Sequence, residues 1–126
     1  MDIVPADGQW LGLPDSVGVT TAKSDPYPLG GNDRASAALS VERIYGGATS
    51  GDRSIAFSTQ VSLDGVNWVN QGPSGTTTDV TTATTAVADT DDVNGAFVRF
   101  IFTFAVTSAS GTAGVLFDLH VHLDKK

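Results

Sequence analysis

Three stretches of this chain alternate large apolar residues with small or polar ones at a period of two, and that alternation constrains the fold more than any other feature. In residues 54–63, Ile55, Phe57, Val61 and Leu63 share one side with Thr59, while Ala56, Ser58, Gln60 and Ser62 take the other. Residues 96–106 set Ala96, Val98, Phe100, Phe102, Phe104 and Val106 against Phe97, Arg99, Ile101 and Thr103. Residues 115–123 set Val115, Phe117, Leu119, Val121 and Leu123 against Asp118, His120 and His122. Successive side chains of a strand point to opposite faces, so each stretch reads as a strand with one face buried. A fourth, residues 35–45, places Ala37, Leu39, Val41 and Tyr45 opposite Ser36, Ser40 and Glu42. Residues 96–106 are apolar on both sides, which suits the centre of a sheet or a second face turned to another subunit. The last two long strands are expected side by side in the middle of the fold.

Composition agrees. The chain has one Glu, three Gln and three Lys among 126 residues, so straight-chain helix formers are scarce, whereas Thr, Val, Ser and Gly are abundant. At 126 residues it fits one domain, and 40% hydrophobic content suffices for a core. The expected fold is all-β: a two-sheet antiparallel sandwich, jelly-roll or immunoglobulin-like, of about seven or eight strands. Residues 35–126 are its expected domain. Residues 1–34 differ in character, with four of the five prolines and five of the thirteen Asp. Proline cannot donate to a ladder, so this segment reads as an extended N-terminal arm over the domain or toward a partner, or as an irregular edge strand with short pieces near 9–13 and 17–22.

Turns are marked by Asp64-Gly65, a strong hairpin signal after which Trp68 should pack back, by Gly72-Pro73-Ser74-Gly75, and by residues 89–95. The Thr-rich residues 76–87 read as a strand, an exposed edge or an extended loop.

Several functions close on composition. There is no cysteine, hence no disulfide, thiolate metal site or Cys nucleophile. The start, Met1-Asp2-Ile3-Val4-Pro5, lacks a basic segment leading into an apolar one, so no signal peptide is expected. No apolar run approaches the ~20 residues of a membrane helix. A formal charge of −7 argues against coating nucleic acid. No P-loop, G-x-G-x-x-G or G-x-S-x-G occurs, and a two-carboxylate hydrolase needs a cleft that so small a domain can hardly build, so no enzyme and no cofactor are expected.

Two constellations bear on metals. His120 and His122, flanked by Asp118 and Asp124, project in parallel ~6.5–7 Å apart along one strand and could share a Zn²⁺ or similar ion; the wet face of an edge strand would look the same. Asp89, Asp91, Asp92 and Asn94 offer oxygen ligands, but the sixth residue from Asp89 is Asn94 and the twelfth Phe100, which fails the EF-hand pattern and leaves a solvated turn. Trp10, Tyr27, Tyr45 and Trp68 are candidates for stacking on sugars; hairpin packing for Trp68 and anchoring of the arm for Trp10 are the plainer readings.

The run Gln60-Val61-Ser62-Leu63-Asp64-Gly65-Val66-Asn67-Trp68 resembles an S-x-D-G-x-x-W hairpin that recurs in small β-sandwich proteins of tailed-phage virions and in some carbohydrate-binding sandwiches. The later Val98-Arg99-Phe100 resembles the V-R-F strand of such chains. The whole profile is similar to phage head decoration (cement) proteins. That resemblance implies a virion structural protein on the outer capsid surface, made in the host cytoplasm. It would form a homotrimer and bind the major capsid protein where neighbouring subunits meet, with no nucleic acid or membrane partner. The residues singled out for interfaces are Trp10, Leu11 and Leu13 in the arm and Phe97 and Ile101 on the second face of their strand; the Thr-rich strand is a further candidate. The alternatives are a carbohydrate-binding module, free or on a tail fibre, and another virion part such as a tail or connector protein.

Overall fold

A computed structural model describes residues 1–13, 18–46, 53–77, 86–106 and 113–126, with the backbone alone at 44–46. Among the described residues ten strands follow one another: β1 (Asp2–Leu13), β2 (Gly18–Lys23), β3 (Tyr27–Pro28), β4 (Arg34–Gly46), β5 (Arg53–Ser62), β6 (Val69–Asn70), β7 (Gly75–Thr77), β8 (Ala86–Asp92), β9 (Phe97–Val106) and β10 (Ala113–Asp124). All pairings are antiparallel. Sheet A runs β1-β10-β4-β8, and sheet B runs β2-β9-β5-β6 with β3 also on β9 and β7 also on β5. No helix of the described residues is long and apolar enough to cross a membrane.

Three of the ten strands are two or three residues long, and they explain why the count exceeds seven or eight. β2 and β3 follow one flank of β9, pairing with residues 101–106 and 97–98 respectively. β6 and β7 follow the outer flank of β5 in the same way. Each edge of sheet B is thus one strand position broken in two, at Pro26 and at Gly72-Pro73, where a ladder donor is missing. Other groups bridge the breaks: the Ser24 amide donates to the Phe100 carbonyl (2.8 Å) and the Gln71 amide to the Thr59 carbonyl (3.1 Å).

Counted by position, eight strands lie four to a sheet, and each sheet alternates early and late strands. The first pairs with the last, the second with the seventh, the third with the sixth and the fourth with the fifth. This is one long hairpin wrapped into two layers, the jelly-roll arrangement.

That wrapping corrects one expectation. β9 and β10 are each interior strands, but of opposite sheets, and they meet face to face through the core. The Phe102 and Phe117 rings stand 5.0 Å apart at 55°. Around them Leu39, Ile55, Phe57, Phe100, Phe104 and Leu119 are buried, each contributing roughly 1.5–3 kcal/mol. Inward residues alternate along β5, β9 and β10 as the period of two requires.

Two further local expectations fail. β5 ends at Ser62, so Leu63 is outside the core and 83% exposed. The Asp-rich stretch from 89 is not a turn through 95. Through Asp92 it belongs to β8, with Arg34 opposite Asp92 and Ala37 opposite Asp89. An edge strand has only one neighbour to satisfy, and charged side chains on it discourage further pairing, so an acidic sequence fits there.

The first 34 residues supply β1, β2 and β3. β1 pairs with β10 from Asp2 opposite His122 to Leu13 opposite Ala113, with register shifts between Ile3 and Ala6 and between Ala6 and Gln9. Pro5 lies within the first interval, and Gly8, at φ +61°, lies within the second. The Met1 ammonium donates to the Leu123 carbonyl and the Leu123 amide to the Met1 carbonyl, both at 2.8 Å. The chain start is therefore latched to its end. Much of the Thr-rich stretch and the Tyr45 side chain lie outside the described residues.

Candidate interaction surfaces

Residues 63–68, between β5 and β6, form a loop organised by one carboxylate. Asp64 Oδ1 accepts the amides of Val66 and Asn67, both at 2.8 Å, and Oδ2 accepts from Asn67 Nδ2 at 2.8 Å. The Ser62 hydroxyl donates to Asp64 Oδ1 at 3.0 Å and accepts from the Gly65 amide at 2.8 Å. Gly65, at φ +79°, takes the conformation a side chain would resist. These bonds favour the ionised form and hold the Asp64 carboxyl well below the usual carboxylate range, the backbone amides of Asn67 and Val66 contributing most.

The consequence is a stiff loop that carries apolar side chains into solvent. Leu63 is 83%, Val66 77% and Val69 63% exposed. Beside them opens a hollow of about 540 Å³, lined among others by Val61, Leu63, Asn67, Val69 and Asn94. Gly95 also lines it and packs tightly on β5: a Cβ there would lie 2.9 Å from the Ser62 carbonyl oxygen, which also accepts the Ala96 amide. The sequence reading missed this surface. Its signal is three aliphatic residues around an Asp-Gly step, but the alternation of residues 54–63 continues through Leu63 and so points that side chain to the core.

The outer face of sheet B carries a second cluster. The Arg99 guanidinium lies over the Trp68 ring, 4.2 Å from its centroid, and Arg99 Nε donates to Gln60 Oε1 at 2.9 Å. Gln60 Nε2 in turn donates to Asn70 Oδ1 at 3.1 Å. Trp68 thus packs on β9, and a row of planar groups crosses β9, β5 and β6. Phe97 and Ile101 are half-buried on this same face, to either side of Arg99.

Sheet A presents a different outer face. Trp10, 44% exposed, lies over the facing glycines Gly12 and Gly114; a Cβ on Gly114 would come within 2.0 Å of the ring. Leu11 turns the other way into the core, and Leu13 packs against the core partly buried. The five residues singled out for interfaces are therefore not brought together. Trp10 is on one outer face, Phe97 and Ile101 on the other, and Leu11 and Leu13 contact this chain's own interior.

His120 and His122 are both exposed on the outer face of sheet A. Their expected carboxylate neighbours are engaged elsewhere: Asp124 with Arg34 at 2.6 Å, and Asp118 as acceptor of the Gly8 amide at 2.6 Å. Asp2, brought in by β1, approaches instead, its Oδ1 2.6 Å from His122 Nδ1. Among the described residues no group of three His, Asp or Glu side chains is gathered to hold an ion. Asp89, Asp91 and Asp92 lie along β8 rather than around a loop. Close by, a hydrogen bond with Asp118, then burial, then the Asp118 and Asp7 charges push the Glu42 carboxyl up.

Fold and surfaces together define a jelly-roll sandwich with an apolar loop tip and an aromatic-polar row on one face. No family model and no curated protein matches the sequence. Solved structures do match in fold. The PBSX exported protein XepA superposes with a TM-score of 0.61 at 12% identity, over 100% of this chain and 37% of that one. The VP2 subviral particle of infectious bursal disease virus gives 0.54 at 9%, over 99% of this chain and 32% of that one. The C-terminal domain of EclA, a sugar-binding protein, gives 0.55 at 11%, over 95% and 81%. The chain spans about a third of the length of the first two. The fold is thus one shared with an exported PBSX protein, a viral particle protein and a sugar-binding domain.

Proposed function

We propose that this chain is a virion structural protein, a capsid decoration (cement) protein that binds the assembled phage head at junctions between major capsid subunits and performs no reaction. The observation that carries this reading is the loop of residues 63–68 and its flank Val69: three aliphatic side chains held in solvent by a loop already ordered around Asp64. Ordering such a loop on binding costs free energy, and here it is ordered beforehand, so burial of Leu63, Val66 and Val69 against a partner goes largely into affinity. The occurrence of the fold in the PBSX exported protein XepA and in the VP2 subviral particle supports the same reading.

A protein that binds the assembled lattice and not free subunits stabilises the lattice by mass action. A homotrimer engages several lattice sites together, and the second and third contacts become intramolecular, so modest individual contacts sum to firm attachment. The expected location is the outer surface of the head.

The test uses heads assembled without this protein. The purified protein should be trimeric by light scattering, sediment with the heads and raise their disassembly temperature. The L63S/V66S/V69S variant should stay folded yet lose attachment. Three side chains worth about 1–2 kcal/mol each predict at least a ~100-fold weaker contact per site. A monomer that does not sediment with heads would refute the proposal.

A carbohydrate-binding module is the second reading, favoured by the Trp68-Arg99-Gln60-Asn70 row, a flat aromatic and hydrogen-bonding face suited to a sugar ring. A glycan-array signal lost on Trp68→Ala, without attachment to heads, would replace the first reading with this one.

A further inference from the structure

The outer face of sheet A holds a shallow hollow of about 270 Å³ lined by Asp2, Val4, Ser36, His120 and His122 among others. The two imidazoles are exposed, stand two residues apart on β10 and so project side by side, ~6.5–7 Å apart along the strand. The neighbouring β4 offers only small side chains here, Ser36 opposite His122 and Ala38 opposite His120, which leaves the space above the rings open.

Asp2 makes this pair more than two solvated histidines. Its Oδ1 lies 2.6 Å from His122 Nδ1, and the β1–β10 ladder sets Asp2 directly opposite His122. A carboxylate in that position fixes the tautomer with the proton on Nδ1 and leaves the lone pair on Nε2, at the far side of the ring from Asp2. Carboxylate-to-imidazole pairing of this kind orients metal-ligating histidines and raises their basicity. His120, two residues away, makes no side-chain hydrogen bond among the described residues. Neutral imidazole nitrogen suits Zn²⁺, Ni²⁺ and Cu²⁺ rather than Ca²⁺ or Mg²⁺.

The geometry points to a two-imidazole chelate for one divalent transition-metal ion, formed by His120 and His122, with Asp2 as the positioning residue and water completing the coordination shell. It stands apart from the proposed attachment through residues 63–69, which belong to the other sheet and its loop.

The experiment titrates the full chain with Zn²⁺ and separately Ni²⁺ near neutral pH by calorimetry, followed by two-bond ¹H–¹⁵N spectra of the imidazoles. One-to-one saturable binding is expected, with the His122 Nε2 resonance shifted and Nδ1 still protonated. His120→Ala or His122→Ala should each weaken binding at least 100-fold, and Asp2→Asn by roughly 10–100-fold with loss of the single tautomer. All three sites are exposed, and unchanged circular dichroism would show that the variants remain folded. Absence of saturable binding below about 1 mM metal, or wild-type affinity in either histidine variant, overturns the site. Wild-type affinity and tautomer in Asp2→Asn overturns the positioning role.

Discussion

Gly114→Ala adds one methyl group, and it should unseat a tryptophan on the paired strand at the other end of the chain. The new Cβ would lie 2.0, 2.3 and 2.8 Å from three Trp10 ring atoms, so the ring must leave the cradle formed with Gly12. At 44% exposure Trp10 has about half its surface covered. A Trp buries roughly 150–250 Å² when enclosed, so about 85–140 Å² are at stake, or about 2–3.5 kcal/mol at ~25 cal/mol per Å². Against this, alanine is favoured over glycine in a strand by roughly 0.5–1 kcal/mol. Gly114→Ala should therefore cost about 2 kcal/mol and Trp10→Ala about 3 kcal/mol. The double variant should be slightly more stable than Trp10→Ala alone, because its cradle is empty. The coupling energy from urea unfolding by circular dichroism should be about 2–3 kcal/mol, and in thermal unfolding the Gly114→Ala Tm should fall by roughly 6–10 °C. If Gly114→Ala costs the same with and without Trp10, the ring is not what the glycine accommodates, and the argument fails.

Phe117→Ala removes a ring 5.0 Å from Phe102 at the meeting of the two sheets and should cost about 3–5 kcal/mol in urea unfolding. Asp64→Ala should leave global stability nearly unchanged but speed hydrogen exchange at the Val66 and Asn67 amides. In the parent protein, the depressed Asp64 carboxyl keeps its contribution above the unfolded pKa and loses it only as pH falls through the lower folded value, so those amides should stay protected at about pH 3. Glu42 behaves oppositely. Its raised pKa means that folding loses stability as pH rises through the unfolded and then the folded value, so Glu42→Gln should raise Tm at pH 7, with the gain fading toward about pH 4. Deleting residues 1–13 removes Ala6 and Leu11 from the core and bares the β10 edge; aggregation or unfolding is expected by light scattering, rather than a folded protein that merely fails to attach.

Legibility in the sequence followed the range of the interaction. The faces of β5, β9 and β10 could be read because alternation is local: a residue and its second neighbour share a face whatever the strand pairs with. The Asp64-Gly65 turn was legible for a similar reason, since its bonds span at most three residues. The broken edges of sheet B were marked by Pro26 and Pro73, although proline alone does not say that the pieces on either side continue along one neighbour. Leu63 and the Asp-rich β8 are not legible in this way, because apolar character and charge alone do not distinguish core from loop or strand from turn. A loop held by Asp64 can expose a leucine, and an edge strand can carry aspartates.

The chain by itself determined that it is built of strands, which side of each long strand is wet, and where several of them end, because backbone pleat and turn chemistry act within a few residues. Only the tertiary structure decided that β9 and β10 face each other from opposite sheets, that Trp10 covers Gly114, and that Asp2 meets His122 across 120 residues of chain. Alternation fixes a face but not a neighbour. The neighbour is chosen by wrapping the whole hairpin so that both apolar faces close on one core, and that choice involves every strand together.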